Sequence, residues 1–500
     1  MHDRLSSLLG HLLEMERAYR ERIGHAPDQH TCQSTRNLIH YTALRDQELR
    51  DLQRALVSLG LSSLGRCESW VLGSVASTLR AASGLCDAVR WRSEDAEGAL
   101  TLEEGRALLE QRTDALFGPK PADRGVRIMV TMPDGAAETP DFIEGCLGRG
   151  MDAMRINTAS GEPETWLAMI DHLRRAERRL GKKCHVLVDL AGPKVRVTRI
   201  HRRGEERDRV RLRVGDRVRL ALDPGAQPDT SRATVYGEPR ELLAEISVGQ
   251  VVWFDDGKIG AEVEATDGAG VDLLVTFAKP AGQRLRIGKG INVPGASLEL
   301  PALTGDDRDC LDRMWGRADA FALSFVRSPE DVRAFREATE ALQRARGGDL
   351  PAAVLKLETR AGFERLPSLL LELLRLPVGG LMIARGDLAV ECGFERMAEI
   401  QEETLCFCEA AHVPVIWATE VLSTLAKRGK PTRAEITDAA AAQRAECVML
   451  NKGPEIQRAL ATLADILRRM QTHQRKKTPM FRPLSIATVP SPCEGETTAR

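Results

Sequence analysis

The sequence of residues 353–359 is Ala-Val-Leu-Lys-Leu-Glu-Thr, and that of residues 381–388 is Leu-Met-Ile-Ala-Arg-Gly-Asp-Leu. Each stretch is an apolar, strand-like run that delivers charged residues at its carboxyl end. Unpaired charges at the end of a buried strand are costly, so packing alone does not explain Lys356, Glu358 and Asp387. Barrels and doubly wound α/β sheets do explain them, because their active sites lie at the carboxyl ends of parallel strands. The two stretches therefore predict a metal-assisted site for an anionic, phosphorylated substrate.

The surrounding sequence repeats this pattern. From residue 127, short apolar runs alternate with amphipathic helical segments, and the runs are Arg127–Thr131, Ala153–Ile156, His185–Asp189, Ala320–Phe325, Ala352–Leu357, Gly380–Ala384, Val413–Ala418 and Cys447–Leu450. Eight strands separated by helices predict an α/β fold, a (β/α)8 TIM barrel.

The remaining segments predict additional domains. Leucines at helical spacing predict an all-helical region at the N-terminus, for docking or oligomerisation. Alternating residues with Gly-Asp and Asp-Asp-Gly turns predict a small β-barrel-like insertion, placed over the catalytic face as a lid. A basic, proline-containing end is predicted to be disordered. The predicted domains are the helical region 1–118, the first part of the barrel 119–195, the lid 196–290, the second part of the barrel 291–474 and the tail 475–500.

Composition excludes several classes of protein. The 500 residues carry a formal net charge of −1, which gives no electrostatic argument for a nucleic-acid partner. The eleven cysteines lack paired spacing, which favours a reduced compartment. The first residues mix charges into their apolar pattern, unlike a signal peptide or a membrane span. We therefore expect a cytoplasmic protein with no membrane partner.

Polar residues stand at or just beyond seven of the eight strand ends: Arg155, Asn157, Asp189, Lys194, Arg196, Ser324, Arg327, Lys356, Glu358, Asp387, Thr419 and Asn451. Glu358 and Asp387 offer the oxygen ligands that Mg²⁺ or Mn²⁺ prefers. Gly386 lets backbone N–H groups at a helix start approach an anionic group. The side chains of Arg155, Arg196, Lys289 and Lys356 could neutralise a phosphoryl group during transfer.

Nine stretches, in one order along the chain, resemble the pyruvate kinase family. They are Met154–Asn157, Val188–Arg196, Phe254–Ile259, Gly288–Gly295, Leu323–Arg327, Lys356–Glu358, Ala384–Leu388, Ala418–Glu420 and Pro431–Glu435. The resemblance covers about residues 127–473 and implies phosphoryl transfer from phosphoenolpyruvate to ADP, giving pyruvate and ATP, with Mg²⁺ or Mn²⁺ as cofactor and a homo-oligomeric assembly.

The resemblance also implies roles for individual residues. Lys356 would stabilise the moving phosphoryl group, Glu358 and Asp387 would hold the metal, and Thr419 would lie where the enolate carbon is protonated. The implied catalytic residues are Lys356, Thr419 and Arg155. The implied substrate- and phosphate-binding residues are Arg155, Arg196, Lys289, Ser324, Ala384, Arg385, Gly386, Asp387 and Thr419.

The chain departs from the family at its monovalent-cation site. Asn157 and Asp189 remain, but Ala159 replaces a serine, and Lys194 stands where potassium-dependent members have glutamate. An ammonium tethered beside Asp189 would replace the potassium ion, so we expect activity without potassium. The alternative is a loop that has drifted without function.

Two further departures concern the last strand and the domain content. Asn451-Lys452 replaces a serine-containing motif and removes a hydroxyl near the proton relay, or else only remodels a turn. The family's C-terminal effector domain is not recognised, so sugar-phosphate allostery through it is not expected. Two other functions stay open: a catalytically weak regulatory protein that binds phosphoenolpyruvate or nucleotide, and an enolate-forming carbon–carbon lyase.

Overall fold

The computed structural model describes residues 1–24, 26–84, 98–221, 225, 227–238, 246–294, 301–471 and 486–487. The predicted disordered tail, 475–500, lies outside the described residues, apart from Ile486 and Ala487, which are buried.

The described residues form eighteen strands. In chain order they are β1 (Arg127–Thr131), β2 (Ala153–Asn157), β3 (His185–Asp189), β4 (Arg196–Arg202), β5 (Glu205–Glu206), β6 (Arg209–Leu212), β7 (Arg217–Ala221), β8 (Ala233–Glu238), β9 (Val251–Phe254), β10 (Ile259–Asp267), β11 (Gly270–Phe277), β12 (Gln283–Arg286), β13 (Ile291–Asn292), β14 (Ala320–Leu323), β15 (Ala352–Leu357), β16 (Gly379–Ala384), β17 (Val415–Ala418) and β18 (Cys447–Leu450).

The same residues form seventeen α-helices. They are α1 (His2–Ala18), α2 (Arg20–Gly24), α3 (Gln29–Arg45), α4 (Arg50–Ser58), α5 (Val71–Gly84), α6 (Leu102–Phe117), α7 (Pro140–Gly148), α8 (Pro163–Leu180), α9 (Gly305–Arg313), α10 (Pro329–Arg346), α11 (Arg360–Glu364), α12 (Leu366–Leu373), α13 (Arg385–Cys392), α14 (Met397–Ala410), α15 (Ser423–Arg428), α16 (Arg433–Ala441) and α17 (Ile456–Met470). Among these helices, none is long and apolar enough to cross a membrane.

Eight strands close into a parallel barrel, which confirms the predicted TIM barrel. Their order around the barrel is β1, β18, β17, β16, β15, β14, β3 and β2. Strands such as β1, β15 and β18 are buried along their whole length, because the barrel interior covers one face and the helices cover the other. All eight runs that the sequence analysis identified are strands of this barrel. Their carboxyl ends form one edge, which we call the mouth.

The insertion between β3 and β14 has its own apolar core. Strands β13, β9, β10, β11, β7, β8, β4 and β5 form one sheet in that order, and β12 pairs with β6. A bridge between Arg196 and Gly290 brings β4 against the segment that leads into β13. Backbone hydrogen bonds from Val197 N to Lys289 O (2.8 Å) and from Ile291 N to Val195 O (2.9 Å) reinforce it. The sheet thus curls back on itself, as the predicted barrel-like insertion requires.

The N-terminal helices α1–α6 pack against the barrel and share its core. Buried leucines of α1, α3 and α5 belong to the same apolar cluster as the helices around the barrel. Carbonyl groups at the end of α14 accept hydrogen bonds from this region: Asn37 Nδ2 donates to Ala410 O (2.8 Å), and Arg112 Nη1 donates to Ala411 O (2.9 Å). These contacts satisfy helix-end carbonyls that would otherwise lack partners.

The end of α6 closes the bottom of the barrel, opposite the mouth. Leu116 and Phe117 join an apolar cluster with barrel-strand residues, and the Leu116 side chain fills the space beside Gly380, at the start of β16. The backbone oxygen of Leu116 is 3.0 Å from His185 Nδ1, at the start of β3. The N-terminal region therefore seals the amino end of the barrel.

We expect Leu116→Ala to lower the free energy of unfolding by about 2–5 kcal/mol, because it opens a cavity at the bottom of the barrel. Urea unfolding followed by circular dichroism measures this. Val57→Ala is the control, since Val57 is 61 % exposed and its truncation should change stability by about 0.5 kcal/mol or less. Equal effects of the two substitutions would show that α6 does not support the barrel.

Candidate active site

The ammonium of Lys356 is the centre of the polar cluster at the mouth. Lys356 is near the end of β15, is 8 % exposed, and points among groups from three strands. Its Nζ atom lies 2.7 Å from Ser324 Oγ, 3.1 Å from Asp189 Oδ1 and 3.0 Å from Glu358 Oε1. Burial lowers the pKa of Lys356, but the carboxylates of Asp189 and Glu358 outweigh it and raise the pKa above the ordinary value. The lysine is therefore held charged.

Asp189, at the end of β3, joins Lys356 to Arg155. Arg155 Nε donates to Asp189 Oδ2 at 2.7 Å, and Asp189 is 1 % exposed. Burial raises the pKa of Asp189, yet the charges of Arg155 and Lys356 more than offset it, so the pKa lies below its usual value. Two cations thus share one buried carboxylate, and Lys356 is also paired with Glu358. Two fixed cations at one edge of the barrel suit an anionic group.

Glu358 follows β15 and is buried close to a second carboxylate. Its Oε2 atom accepts a hydrogen bond from the Phe325 backbone N–H at 2.7 Å. Phe325 has a φ of +56°, a conformation that large side chains rarely adopt. Burial raises the pKa of Glu358, Lys356 lowers it, and the nearby charge of Asp387 raises it again. The pKa ends above its ordinary value chiefly because the Glu358 carboxyl is buried, with the negative charge of Asp387 adding to that effect.

Asp387 is in the first turn of α13, and its side chain contacts both connections to the lid. Lys194 Nζ lies 2.9 Å from Asp387 Oδ1 and 3.0 Å from Asp256 Oδ1, and Asn292 Nδ2 lies 3.3 Å from Asp387 Oδ1. The sequence analysis placed the Lys194 ammonium beside Asp189. In the described residues the two are not paired, because Arg155 and Lys356 already neutralise Asp189, and Lys194 instead binds the two other carboxylates within its reach.

The turn after β17 presents Thr419 at the mouth. Thr419 has a φ of +64° and Glu420 a φ of +58°, which for residues other than glycine costs about 1–3 kcal/mol each. The Gly386 backbone N–H donates to Thr419 Oγ1 at 3.1 Å. Among the described residues, no atom beyond its own helix backbone and chain neighbours lies within 4 Å of the Cβ position of Gly386, which leaves room for an incoming group at the start of α13. Ala384 ends β16 directly before it.

The other predicted site residues make different contacts. Arg196 Nη1 donates to Gly288 O at 3.2 Å, and Lys289 Nζ lies 3.0 Å from Asp255 Oδ1, so both are bound within the inserted domain. Asn157 Oδ1 accepts from the Ala159 backbone N–H at 3.1 Å. The guanidinium of Arg385 donates hydrogen bonds to the backbone of the turn after β17. The structure thus brings Lys356, Glu358, Asp189, Arg155 and Ser324 into one network.

Sequence reasoning missed four residues that shape this site. Thr131, at the end of β1, accepts from Arg155 Nη1 at 2.9 Å and contacts Asn451. The same rule of polar residues at strand ends could have identified it. Asp256 belongs to the Asp-Asp-Gly turn from which the lid was predicted, so it could also have been identified. No local sequence pattern marks Asn292 or Asp438 as site residues.

The two carboxylates could hold a divalent cation. Glu358 and Asp387 repel each other, and a bound cation would relieve that repulsion. Among the described residues, no group of three or more His, Cys, Asp or Glu side chains converges as a metal site. A cation here would therefore be held by two protein carboxylates, with its remaining positions left to water and substrate, which is typical of Mg²⁺.

The fold is a closed parallel barrel with a small β domain inserted after its third strand, and its mouth carries a buried lysine and carboxylates. Together these features define a distinct class of α/β-barrel protein. Comparison with known proteins identifies the class: residues 123–454 match the family model "Pyruvate kinase, barrel domain". The chain belongs to the pyruvate kinase family, as the sequence analysis predicted.

Individual relatives agree with the family match. The chain is 33 % identical over 309 residues to a pyruvate kinase of Bacillus licheniformis, covering 61 % of this chain and 49 % of the relative. It is 31 % identical over 328 residues to one of Aeropyrum pernix, covering 65 % of each. The chain thus spans about half the length of several curated relatives. A Cryptosporidium parvum pyruvate kinase structure, 23 % identical, has the same fold with a TM-score of 0.63, covering 72 % of this chain and 73 % of that one.

We expect Asp189→Asn to lower the free energy of unfolding at pH 7 by about 3–5 kcal/mol, because Arg155 and Lys356 lose their shared counter-charge. The folded-state pKa of Asp189 is depressed, so its stabilisation exists above the ordinary pKa of 3.8 and disappears as the pH falls through the folded value. The difference in the free energy of unfolding between wild type and Asp189→Asn should therefore become smaller below that pH.

Urea unfolding at a series of pH values measures both effects. Asp171→Asn, which breaks an exposed ion pair with Arg317, is the control and should change stability by at most about 1 kcal/mol at any pH. A difference for Asp189→Asn that stayed constant with pH would show that Asp189 is not ionised in the folded protein.

Proposed function

We propose that the protein is a pyruvate kinase-type phosphotransferase, which transfers the phosphoryl group of phosphoenolpyruvate to ADP and releases pyruvate and ATP. The observation that carries the proposal is the Lys356 ammonium, fixed at the barrel mouth by Ser324, Asp189 and Glu358. A charge held in place before the reaction stabilises a transition state without reorganisation. Family membership supports the same function.

In the proposed reaction Lys356 neutralises the phosphoryl oxygens during transfer. Its raised pKa keeps the ammonium charged at neutral pH, and its three contacts fix its direction. Arg155 on β2, oriented by Asp189 and Thr131, supplies a second positive charge. In our proposal Arg196 and Lys289 bring two more cations from the lid to the phosphate groups. Both now bind groups within the lid, so substrate must compete for them.

Glu358 and Asp387 are the proposed ligands of Mg²⁺ or Mn²⁺. A bound divalent cation would supply Lewis-acid stabilisation of phosphoryl and enolate oxygens. In the described structure each carboxylate is paired with a lysine, Glu358 with Lys356 and Asp387 with Lys194. The lysines therefore balance the negative charge of these two carboxylates.

The start of α13 and the turn after β17 form the proposed carboxylate and proton-transfer side of the site. The backbone N–H groups of residues 385–387 lie at the beginning of a helix, where an anionic group is stabilised. Thr419 Oγ1 accepts from the Gly386 N–H, which orients the hydroxyl at the mouth. We assign this hydroxyl to the relay that delivers a proton to the enolate carbon through water.

We further propose that activity does not require potassium. The Lys194 ammonium supplies a permanent positive charge within the site, and its pKa is raised: burial lowers it, but Asp387 and Asp256 outweigh burial. Lys194 is paired with Asp387 rather than with Asp189. Its positive charge therefore offsets the negative charge of the site, but it does not lie at the position beside Asp189 where the family binds the monovalent cation. Cytoplasmic location, homo-oligomeric assembly and the domain boundaries stay predictions.

We expect Lys356→Ala to reduce kcat for pyruvate formation from phosphoenolpyruvate and ADP by about a thousandfold, because no other charge occupies the same position. A coupled pyruvate assay, with and without Mg²⁺, measures this. Lys427→Ala, which removes an exposed lysine of α15, is the control and should retain full activity.

The assay also separates the alternatives. Turnover that needs Mg²⁺ and Lys356 supports the kinase. A wild-type protein that binds phosphoenolpyruvate without turnover would favour the regulatory function. Pyruvate formed from a longer acid, with no nucleotide consumed, would favour the lyase.

The potassium proposal has its own test. We expect wild-type turnover in tetramethylammonium buffer to match that in potassium buffer within about twofold, since a tethered ammonium needs no bound ion. Lys194→Gln should lower turnover in potassium-free buffer, while the exposed control Lys258→Gln should not. Strong activation of the wild type by potassium would overturn the proposal but leave the kinase intact.

A further inference from the structure

The turn after β17 needs support from outside itself. Thr419, Glu420 and Leu422 have φ values of +64°, +58° and +48°. Threonine and leucine rarely adopt this left-handed conformation, and a turn that contains three such residues persists only where its surroundings determine it. Thr419 carries the hydroxyl proposed for proton delivery, so whatever holds the turn also sets the position of that hydroxyl.

Arg385 supplies the support on the backbone side. Its Nε atom donates to Ala418 O at 2.8 Å, and its Nη2 atom donates to Thr419 O at 2.5 Å. The next residue, Gly386, donates its N–H to Thr419 Oγ1. One dipeptide at the start of α13 therefore holds both the carbonyl and the hydroxyl of Thr419.

Asp438, on α16, fixes the Arg385 guanidinium. Both carboxylate oxygens accept from it: Nη1 donates to Oδ1, and Nη2 donates to Oδ2 at 2.8 Å. Such a two-point contact sets the plane of a guanidinium as well as its place. Trp417 completes the arrangement, with its ring 4.9 Å from the guanidinium carbon and its Nε1 atom 3.3 Å from Asp438 Oδ1.

We propose that Asp438 is a positioning residue for the reaction. Asp438 aligns the Arg385 guanidinium, Arg385 holds the turn after β17, and that turn presents Thr419 at the mouth. For its effect on turnover the proposal rests on the proposed function. Without the carboxylate, the remaining acceptor for Nη1 among the described residues is Gln401 Oε1 at 3.4 Å, so the guanidinium would turn toward it and loosen its bonds to the two carbonyls.

The first experiment combines a loss with a rescue. Asp438→Asn keeps the size of the side chain and removes its charge, and we expect kcat to fall about tenfold or more while KM for ADP changes by about twofold or less. Glu420→Gly should restore turnover in the double variant, because glycine adopts positive φ without steric cost. Glu420 is exposed, and Glu420→Gly alone should be close to wild type.

Asp312→Asn is the matched control. It breaks the ion pair between Asp312 and Arg346 (2.6 Å), which joins α9 and α10 away from the mouth, and should leave kcat unchanged. A loss of turnover in Asp438→Asn that Glu420→Gly does not rescue would overturn the inference, as would full activity of Asp438→Asn.

The second measurement does not depend on turnover. The protein is labelled with ¹³C-threonine, and the Thr419 methyl resonance is assigned by its loss in Thr419→Ser. This resonance should shift or broaden in Asp438→Asn. It should return to its wild-type position in the variant that also carries Glu420→Gly. An unchanged resonance in Asp438→Asn would overturn the inference. If the wild type has no kinase activity but the resonance responds as expected, the proposed function fails and the positioning of the Thr419 turn by Asp438 stands.

Discussion

The mouth of this barrel depends on one constraint, that a buried ammonium must be matched by partners. Lys356 is 8 % exposed, and leaving its charge unpaired there would cost several kcal/mol. Its partners come from three separate segments: Ser324 after β14, Asp189 on β3 and Glu358 beyond β15. Asp189 in turn holds Arg155, and the Phe325 backbone holds Glu358. Satisfying one charge therefore fixes the relative positions of four strands at the edge where chemistry is proposed.

Backbone strain collects in the same region. Phe325 and Thr419 both adopt positive φ at strand ends, and Asp255 and Asp256 do so in the lid turn that reaches toward Lys194. Strain of this kind persists where surrounding contacts over-determine the conformation. Here those contacts are the Glu358 carboxylate, the Arg385 guanidinium and the lysines around Asp255. The mouth thus combines a hydrogen-bonded lysine network with strained turns that charged side chains support.

The N-terminal helices contribute from the other end of the barrel. They bury their leucines in the core shared with the barrel helices, donate hydrogen bonds to the end of α14 and close the barrel floor with Leu116 and Phe117. This gives the helical region a packing role within its own chain. The sequence predicted the helices from leucine spacing, but not their place, because amphipathic periodicity shows which face is buried and not what buries it.

By itself, the sequence determined the barrel and the main charged residues of its mouth. Eight apolar runs that alternate with helical segments predict a (β/α)8 barrel, and parallel strands bring their carboxyl ends to one edge, so Lys356, Glu358, Asp387 and Thr419 could be predicted together. Tertiary structure alone decided the pairing within that edge. Lys194 binds Asp387 and Asp256 because Asp189 is already neutralised, and Asp438 reaches Arg385 from 53 residues away. Ion pairs form between whichever charges folding brings within a few ångströms, and spacing along the chain does not encode that distance.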